Sequence, residues 1–314
     1  MNKTIINYVE FIKNKEFEKL DRINIDILFI PKGDFIFERH NYFSNITIFD
    51  GNLNDFFDRK FINSYEYDNP IARCNHFYLR DDTGDYIYQN VRYKEITDLN
   101  INTEGIPIYA FTNYNFNEVN IQKCKKIENC AFYKSSVNKF SIDDNIEYIG
   151  YNALPHNLNI KSGYFDLEGN EELILAQIKK GNNPKISDKT KIIYQNASSD
   201  NDMIKELIIP EGVTMIGSCA FSNCRNLKVV VLPKTLKYIE ERAFYDTEIE
   251  RLYYNGTKDD YDKIIINDLD WDYMEWLSRP IELGSNPKKE GTRFFVYSEN
   301  AKTPFKGRKY LEIK

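Results

Sequence analysis

The sequence contains few residues of the kinds that usually form catalytic or metal centres. Among its 314 residues are only three histidines, His40, His76 and His156, and they are widely separated. It has no Walker loop, dinucleotide-binding glycine motif, paired-histidine zinc helix, serine nucleophile elbow or Cys-x-x-Cys pair. We therefore expect a protein that is not an enzyme, with no catalytic residue, no cofactor and no metal site.

Long apolar segments are also missing. No uncharged apolar run approaches the roughly 18 residues that mark a membrane-spanning helix. Residues 1–13 alternate apolar and charged side chains without a small-residue cleavage site, which predicts an amphipathic helix rather than a signal peptide. The five cysteines are an odd number, which favours reduced thiols over a disulfide framework. We expect a cytoplasmic protein that makes no membrane contact.

The charge is mildly acidic overall and basic at the C-terminus. A formal net charge of -6 argues against a chain that mainly coats nucleic acid. Residues 286–314 carry a local net charge of about +5, directly after an acidic stretch at 259–275. Two interpretations stay open: a solvated final hairpin packs on the acidic stretch, or Lys306, Arg308 and Lys309 belong to a patch that binds a partner, nucleic acid included.

An internal repeat is the strongest positive signal. Residues 207–221 and 230–244 align without a gap at an offset of 23 residues. The shared pattern is an apolar residue, a second one seven positions later and an alanine four positions after that. About six copies occur between residues 99 and 245. Four have this spacing: Ile142/Ile149/Ala153, Ile186/Ile193/Ala197, Ile209/Ile216/Ala220 and Leu232/Ile239/Ala243. Ile121/Ile127/Ala131 is one residue shorter, and a degenerate first copy ends at Ile106/Ala110/Phe111.

One repeat cannot fold alone. Its roughly five inward apolar side chains contribute on the order of 10 kcal/mol, against roughly 35 kcal/mol for ordering about 23 residues. Stacked copies bury both faces of each layer, which predicts a solenoid. Gly150 and Gly217 follow the second isoleucine, where we expect a turn that needs a permissive backbone. Pro210 and Pro233 are expected to end the first strand of their repeats.

The motif of residues 207–227, Leu-x-Ile-Pro-x-x-Val-x-x-Ile-Gly-x-x-Ala-Phe-x-x-Cys-x-x-Leu, resembles the BspA-type leucine-rich repeat. Residues 253–264 are similar to the strand and short helix that commonly follow the last repeat of that family. The resemblance covers roughly residues 99–267 and implies a β-rich repeat solenoid. For secreted members of the family it also implies adhesion or host interaction.

Three regions are predicted. Residues 1–95 carry no copy of the motif and are expected to form an N-terminal α+β cap or domain, with strands near 23–30, 35–37 and 46–49. Residues 96–267 form the solenoid, with a hairpin insertion at about 155–185. Residues 268–314 form a C-terminal cap and the basic tail. Asp81, Asp82 and Asp85 fit a polar hairpin turn better than a calcium site.

Recognition of a protein partner is the leading functional hypothesis, with the oligomeric state open. Ser141, Ile208, Val231 and Tyr253 alternate with inward residues and should stack on the outward face of the strands, unless another part of the chain covers them. The residue mix suggests a phage or mobile-element inhibitor of a host defence protein. The alternatives are an enzymatic or nucleic-acid-handling activity in residues 1–95 and a secreted adhesin-like binder.

Overall fold

The computed structural model describes residues 5–7, 23–31, 36–37, 42–51, 55, 60–61, 74–80, 86–88, 95–267, 284–299, 301 and 304–313. They belong to two compact units. The first comprises residues 1–146, 150–158 and 167–169, and the second comprises 147–149, 159–166 and 170–314. The predicted boundaries near residues 95 and 267 stay predictions. None of the helices found in the described part of the chain has the length and apolar character needed to cross a membrane.

The N-terminal part of the first unit is a sheet of mostly parallel strands. Its members, in the order in which they pair, are β1 (Ile5–Asn7), β2 (Ile23–Ile30), β4 (Tyr42–Phe49), β6 (Cys74–Arg80) and β7 (Tyr86–Tyr88). The strands predicted in this region are confirmed. The predicted starting helix is wrong at residues 5–7, because they form a strand that pairs with residues 27–29 of β2.

This region also contains a pair of short strands and an antiparallel pair of strands. The short strands β3 (Ile36–Phe37) and β5 (Lys60–Phe61) pair in parallel, so a long strand is followed by a short one, as in the repeats. Strands β6 and β7 pair antiparallel through Arg80 and Tyr86, as a hairpin requires. Asp81, Asp82 and Asp85, for which a hairpin turn was predicted, lie outside the described residues, as does His40.

The rest of the first unit continues the alternation of long and short strands. The long strands β8 (Glu95–Asn102), β10 (Asn115–Gln122) and β12 (Ser136–Ile142) pair in parallel, and so do the short strands β9 (Gly105–Ile106) and β11 (Lys126–Ile127). Phe111 and Phe132 stack in the interior with ring centroids 5.0 Å apart. Aromatic packing therefore fills the space between successive layers.

The second unit contains the short strand β13 (Tyr148–Ile149) and an inner ladder of short strands. The ladder begins with the predicted insertion, in which β14 (Ile160–Lys161), β15 (Tyr164–Phe165) and β16 (Ile174–Leu175) pair antiparallel in sequence order. Four parallel strands follow: β17 (Ile192–Ile193), β19 (Met215–Ile216), β21 (Tyr238–Ile239) and β23 (Ile265–Ile266). The central isoleucines Ile193, Ile216 and Ile239 are in register and fully buried, as the repeat predicts.

An outward sheet of longer strands forms the other side of the second unit. Its order is β18 (Glu206–Ile208), β20 (Val229–Leu232), β22 (Arg251–Tyr254), β24 (Arg293–Tyr297), β26 (Arg308–Ile313) and β25 (Pro304–Phe305). β18 to β24 pair in parallel, whereas β26 pairs antiparallel with β24 and β25. A short helix, α1 (Lys258–Tyr261), follows β22 and begins with a capping box at Thr257. The predicted strand and helix after the last repeat are confirmed.

At the corner of each repeat, the left-handed backbone lies at a different residue from the expected glycine. The residue before each buried alanine has a left-handed backbone with φ between 51° and 58°; these residues are Tyr109, Cys130, Asn152, Asn196, Cys219 and Arg242. Gly150 and Gly217 do not have positive φ. A Cβ on Gly217 would lie 2.7 Å from the backbone N of Gln195, so glycine is needed here for the close approach of the preceding layer.

Candidate partner-binding site

Three of the four predicted outward residues lie side by side in the second unit. Ile208 is in register with Val231, Val231 with Tyr253, and Tyr253 with Phe295. We call these four residues the outward row. Ser141 is not part of this row: it lies in the first unit, where its neighbours in register are Asn120 and Asn100.

The polar neighbours of Ser141 give its surface a different character from that of the outward row. The Ser141 hydroxyl lies 3.0 Å from Asn120 Oδ1, and Asn120 Nδ2 donates to Asn100 Oδ1 at 3.4 Å. Similar bonds join Asn117 to Asp98 at 2.9 Å and Asn138 to Asn117 at 3.4 Å. This sheet face is thus occupied by cross-strand hydrogen bonds between its own side chains.

Most of the outward row is covered by the C-terminal part of the chain. Val231 and Tyr253 are 3% and 6% exposed, whereas Ile208 is 40% exposed. The ring of Phe305 stacks on Tyr253 with centroids 4.1 Å apart and planes 6° apart. Tyr310 contacts the same ring edge-on at 5.0 Å. Of the two alternatives left open by the sequence, exposure holds for Ile208, and coverage by another part of the chain holds for Val231 and Tyr253.

The covering segment is a tight hairpin, residues 304–309, which we call the tip. Pro304 pairs with Lys309 and Phe305 with Arg308, so the loop has two residues. Both loop residues have positive φ, 49° at Lys306 and 78° at Gly307, as a type I′ turn requires. This geometry places Phe305 and the basic side chains beside the repeats.

Two ion pairs join the tip to the repeats. Lys306 Nζ lies 2.7 Å from Glu206 Oε1, and Arg308 Nη1 donates to Glu211 Oε1 at 2.9 Å. The predicted packing of the basic tail on the acidic stretch at 259–275 is therefore wrong for these two residues. Their carboxylate partners lie on or just after β18 instead. The third predicted residue, Lys309, donates to the backbone oxygen of Glu299 at 3.3 Å.

The tip borders a groove of about 660 Å³ on the outward face. Its floor includes Ile208 and Val231 from the outward row, so the structure brings together four of the predicted site residues here. Six charged side chains line it: Lys185, Asp188, Glu206, Glu211, Lys306 and Arg308. A second groove of about 690 Å³ lies on the other side of Arg308 and is lined in part by Lys309 and Glu299.

A hydrogen-bond network fixes the boundary between the two grooves. Asn255 Nδ2 donates to Glu211 Oε1 at 2.8 Å, and the Tyr310 hydroxyl donates to Asn255 Oδ1 at 2.6 Å. Burial raises the pKa of Tyr310 to about 12, so its hydroxyl keeps the donated proton at neutral pH. Glu211 also accepts from the backbone N–H of Lys234 at 3.1 Å. The carboxylate is thus held by the repeats as well as by the tip.

Reactive groups in the described residues are mostly buried. Burial raises the pKa of the Cys124 thiol to about 12 and that of Cys224 to about 11, which disfavours the thiolate needed for nucleophilic attack. His156 Nδ1 is hydrogen-bonded to the backbone oxygen of Ser135. The described residues contain no cluster of three or more His, Cys, Asp or Glu side chains that could hold a metal ion.

Sequence reasoning missed three members of this site. Glu206 lies two residues before Ile208, so strand alternation alone places it on the outward face. Glu211 and Asn255 lie in turns, where no periodic signal indicates the direction of a side chain. Their role becomes visible only when the tip, almost 100 residues away from Glu211, is placed beside them.

Comparison with known proteins identifies the repeats. A family model described as "BspA type Leucine rich repeat region" matches residues 81–171 and 191–264 with six copies. A search of curated proteins found no match.

Two solved structures resemble the chain at low identity. The first, a leucine-rich cell surface protein of Faecalibacterium prausnitzii, is 14% identical over 77% of this chain, with a TM-score of 0.25; the chain spans 62% of its length. The pneumococcal vaccine antigen PcpA is 13% identical over 90% of this chain and 85% of its own, with a TM-score of 0.27.

Proposed function

The chain belongs to the BspA-type leucine-rich repeat family, and we propose that it is a non-catalytic scaffold that binds a protein partner through the groove beside the tip. The observation that carries this proposal is the position of Ile208. This large apolar side chain is 40% exposed, and the groove that surrounds it carries charged side chains of both signs.

An apolar centre within a polar rim is the usual composition of a protein-binding surface. Binding energy is concentrated in a few central side chains, and the surrounding polar groups exclude water and select the partner. The parallel strands under the groove are paired on both sides from β20 onward, so the surface is rigid before a partner arrives. A preorganised surface loses less conformational entropy on binding.

The absence of catalysis is part of the proposal. Of the cysteines with described side chains, Cys124, Cys130 and Cys224 are buried. The groove itself is lined by carboxylates, cations, asparagines, a tyrosine and apolar residues, without a cysteine, serine or histidine among its described lining residues. Two of its carboxylates, Glu206 and Glu211, pair with Lys306 and Arg308, which supports recognition of a charged surface.

Capture of partners from a lysate of the encoding organism, or of its host, tests this proposal. The wild type is compared with Ile208→Asp and with the control Ile265→Asp, which changes an isoleucine that is 53% exposed on β23, in the inner ladder. We expect a protein that the wild type and the control capture and that Ile208→Asp loses, with circular dichroism showing that all three are folded. Equal capture by all three would contradict binding through this groove.

Four narrower statements stay predictions: the cytoplasmic location, the inhibition of a host defence protein, an adhesin-like role outside the cell and a separate activity in residues 1–95. Nucleic-acid binding through the basic tail is less favoured than protein binding, because Lys306 and Arg308 already pair with carboxylates. Steep loss of binding to a mixed-sequence duplex with added salt would indicate the nucleic-acid alternative.

A further inference from the structure

We propose that Glu206, Glu211 and Tyr253 form a recognition site for a protein segment in which an aromatic residue is followed by basic residues. The chain's own tip occupies this site, and a partner segment of the same chemistry displaces it. This inference rests on the proposed protein-binding function and adds the chemistry of the partner and the control of access.

The aromatic part of the site is a slot above Tyr253. The Tyr253 ring has Phe295 beside it at 4.7 Å, with planes 16° apart, and Phe305 at 4.1 Å, with planes 6° apart. Tyr310 contacts Tyr253 edge-on. Phe295 and Tyr310 belong to β24 and β26, and Phe305 belongs to the tip. Removal of Phe305 alone would therefore leave a slot with an aromatic floor that another planar side chain can fill.

The part of the site that receives basic side chains consists of two carboxylates, of which Glu211 is held in place by the repeats. Glu211 keeps its hydrogen bonds from Asn255 and from the Lys234 backbone N–H whether or not Arg308 is present. The Glu206 side chain is only 21% exposed, so a cation that reaches it replaces water in a partly buried position. These carboxylates favour Lys and Arg side chains that follow an aromatic residue, as Lys306 and Arg308 follow Phe305 in the tip.

The tip is held weakly enough to be displaced. Its own strand β25 pairs with β26 through only two residue pairs. Its ion pairs with the repeats are solvent-exposed at Lys306 and Arg308, which are 46% and 45% exposed, and exposed pairs contribute little to stability. A longer segment could also cover Ile208, which the tip leaves exposed. A partner therefore gains contacts that the tip does not make.

A peptide that reproduces the tip tests the inference without the natural partner. The receptor is the full chain with Phe305→Ala, Lys306→Ala and Arg308→Ala, which removes the side chains that fill the site and leaves β24 and residues 309–313 of β26 unchanged. The probe is a cyclised, fluorescently labelled peptide with the sequence of residues 304–309, and binding is followed by anisotropy. A control peptide has alanine in place of its phenylalanine.

We expect saturable binding to the triple variant and at least about tenfold weaker binding to the wild type, because the tethered tip competes at a high effective concentration. Adding Glu206→Gln and Glu211→Gln to the triple variant should weaken binding several-fold, because two exposed ion pairs are lost, and the control peptide should not bind. Absence of peptide binding to the folded triple variant would overturn the inference. Equal binding to wild type and triple variant would also overturn it, because the peptide would then bind elsewhere.

A second measurement covers the case in which the triple variant does not fold. In Glu206→Gln/Glu211→Gln the tip keeps its three tryptic sites, Lys306, Arg308 and Lys309, and we expect faster cleavage there than in the wild type. The control Glu312→Gln breaks the Arg293–Glu312 ion pair, which joins β24 to β26 outside the tip, and should leave the rate unchanged. Equal rates in all three proteins would contradict a displaceable tip. Failure of these tests would leave the capture experiment with Ile208→Asp unaffected, so the two proposals fail separately.

Discussion

Replacing Gly217 by alanine would test how closely successive layers of the second unit approach. The Gly217 N–H donates to the Ile193 oxygen at 2.8 Å, which joins two layers of the inner ladder. An added Cβ would lie 2.7 Å from the Gln195 nitrogen and 2.9 Å from the Tyr194 carbonyl carbon. These are backbone atoms, so a change of rotamer cannot relieve the contact and the layers themselves must separate.

The expected loss of stability follows from two opposing effects. Overpacking of this kind costs about 1 to 3 kcal/mol. Alanine also makes the unfolded chain less flexible than glycine does, which offsets about 0.4 to 1 kcal/mol of that cost. The approaches of 2.7 and 2.9 Å to backbone atoms place this change in the upper half of the overpacking range, so we expect Gly217→Ala to lower the free energy of unfolding by about 1 to 2.5 kcal/mol. Gly181→Ala is the matched control, because its Cβ would have no atom within 4 Å and its φ is not positive.

Urea unfolding followed by circular dichroism measures both changes. Hydrogen exchange of the Gly217 amide, whose hydrogen bond joins the two layers, shows whether the loss of stability is local. We expect faster exchange at position 217 in Gly217→Ala and a neutral or slightly stabilising effect of Gly181→Ala. If Gly217→Ala were as stable as the wild type, the close approach of the layers would not be the reason for glycine at this position.

Three further predictions concern the buried side chains. Phe244→Ala should cost about 3 to 5 kcal/mol in urea unfolding because it leaves a cavity, whereas Tyr245→Ala at an exposed position should cost less than about 1 kcal/mol. Burial raises the pKa of Cys124 from 9.0 to about 12 and that of Cys224 from 9.0 to about 11. The contribution of these two thiols to stability is therefore complete below pH 9 and is lost as the pH rises through the raised pKa values. A pH series of unfolding curves would show this loss. In native protein at pH 8, a maleimide should modify the half-buried Cys219 before Cys124; the opposite order would contradict the burial.

The repeats could be predicted because their contacts recur at a nearly constant offset. Ile193, Ile216 and Ile239 pair with neighbours 23 residues away, so the same packing requirement leaves the same residue type at each step. The N-terminal strands have no such offset: residue 23 pairs with residue 42, whereas residue 44 pairs with residue 74. Turns of different length remove the periodic signal although the strands still stack in parallel.

Neither the left-handed corners nor the covered outward row could be predicted from the sequence, and the reasons differ. Cys219 has positive φ because its N–H donates to the Glu241 oxygen of the next layer, a bond between distant residues that outweighs the local preference for glycine. Strand alternation predicts that Tyr253 lies on the outward face of the strands, but it does not predict what covers that face. The stacking of Phe305 on Tyr253 depends on a hairpin 52 residues further along the chain.

The inner ladder of β17, β19 and β21 also bears on how the second unit would respond to mechanical force. Each of these layers is bonded mainly to the layers before and after it, with a spacing of 23 residues between matching isoleucines. A pull on the chain end can therefore detach one layer while the next stays intact. Each detached layer would release roughly 80 Å of extended chain, at about 3.3 to 3.6 Å per residue. The stack would lengthen in equal steps and could yield to tension without losing all its structure at once.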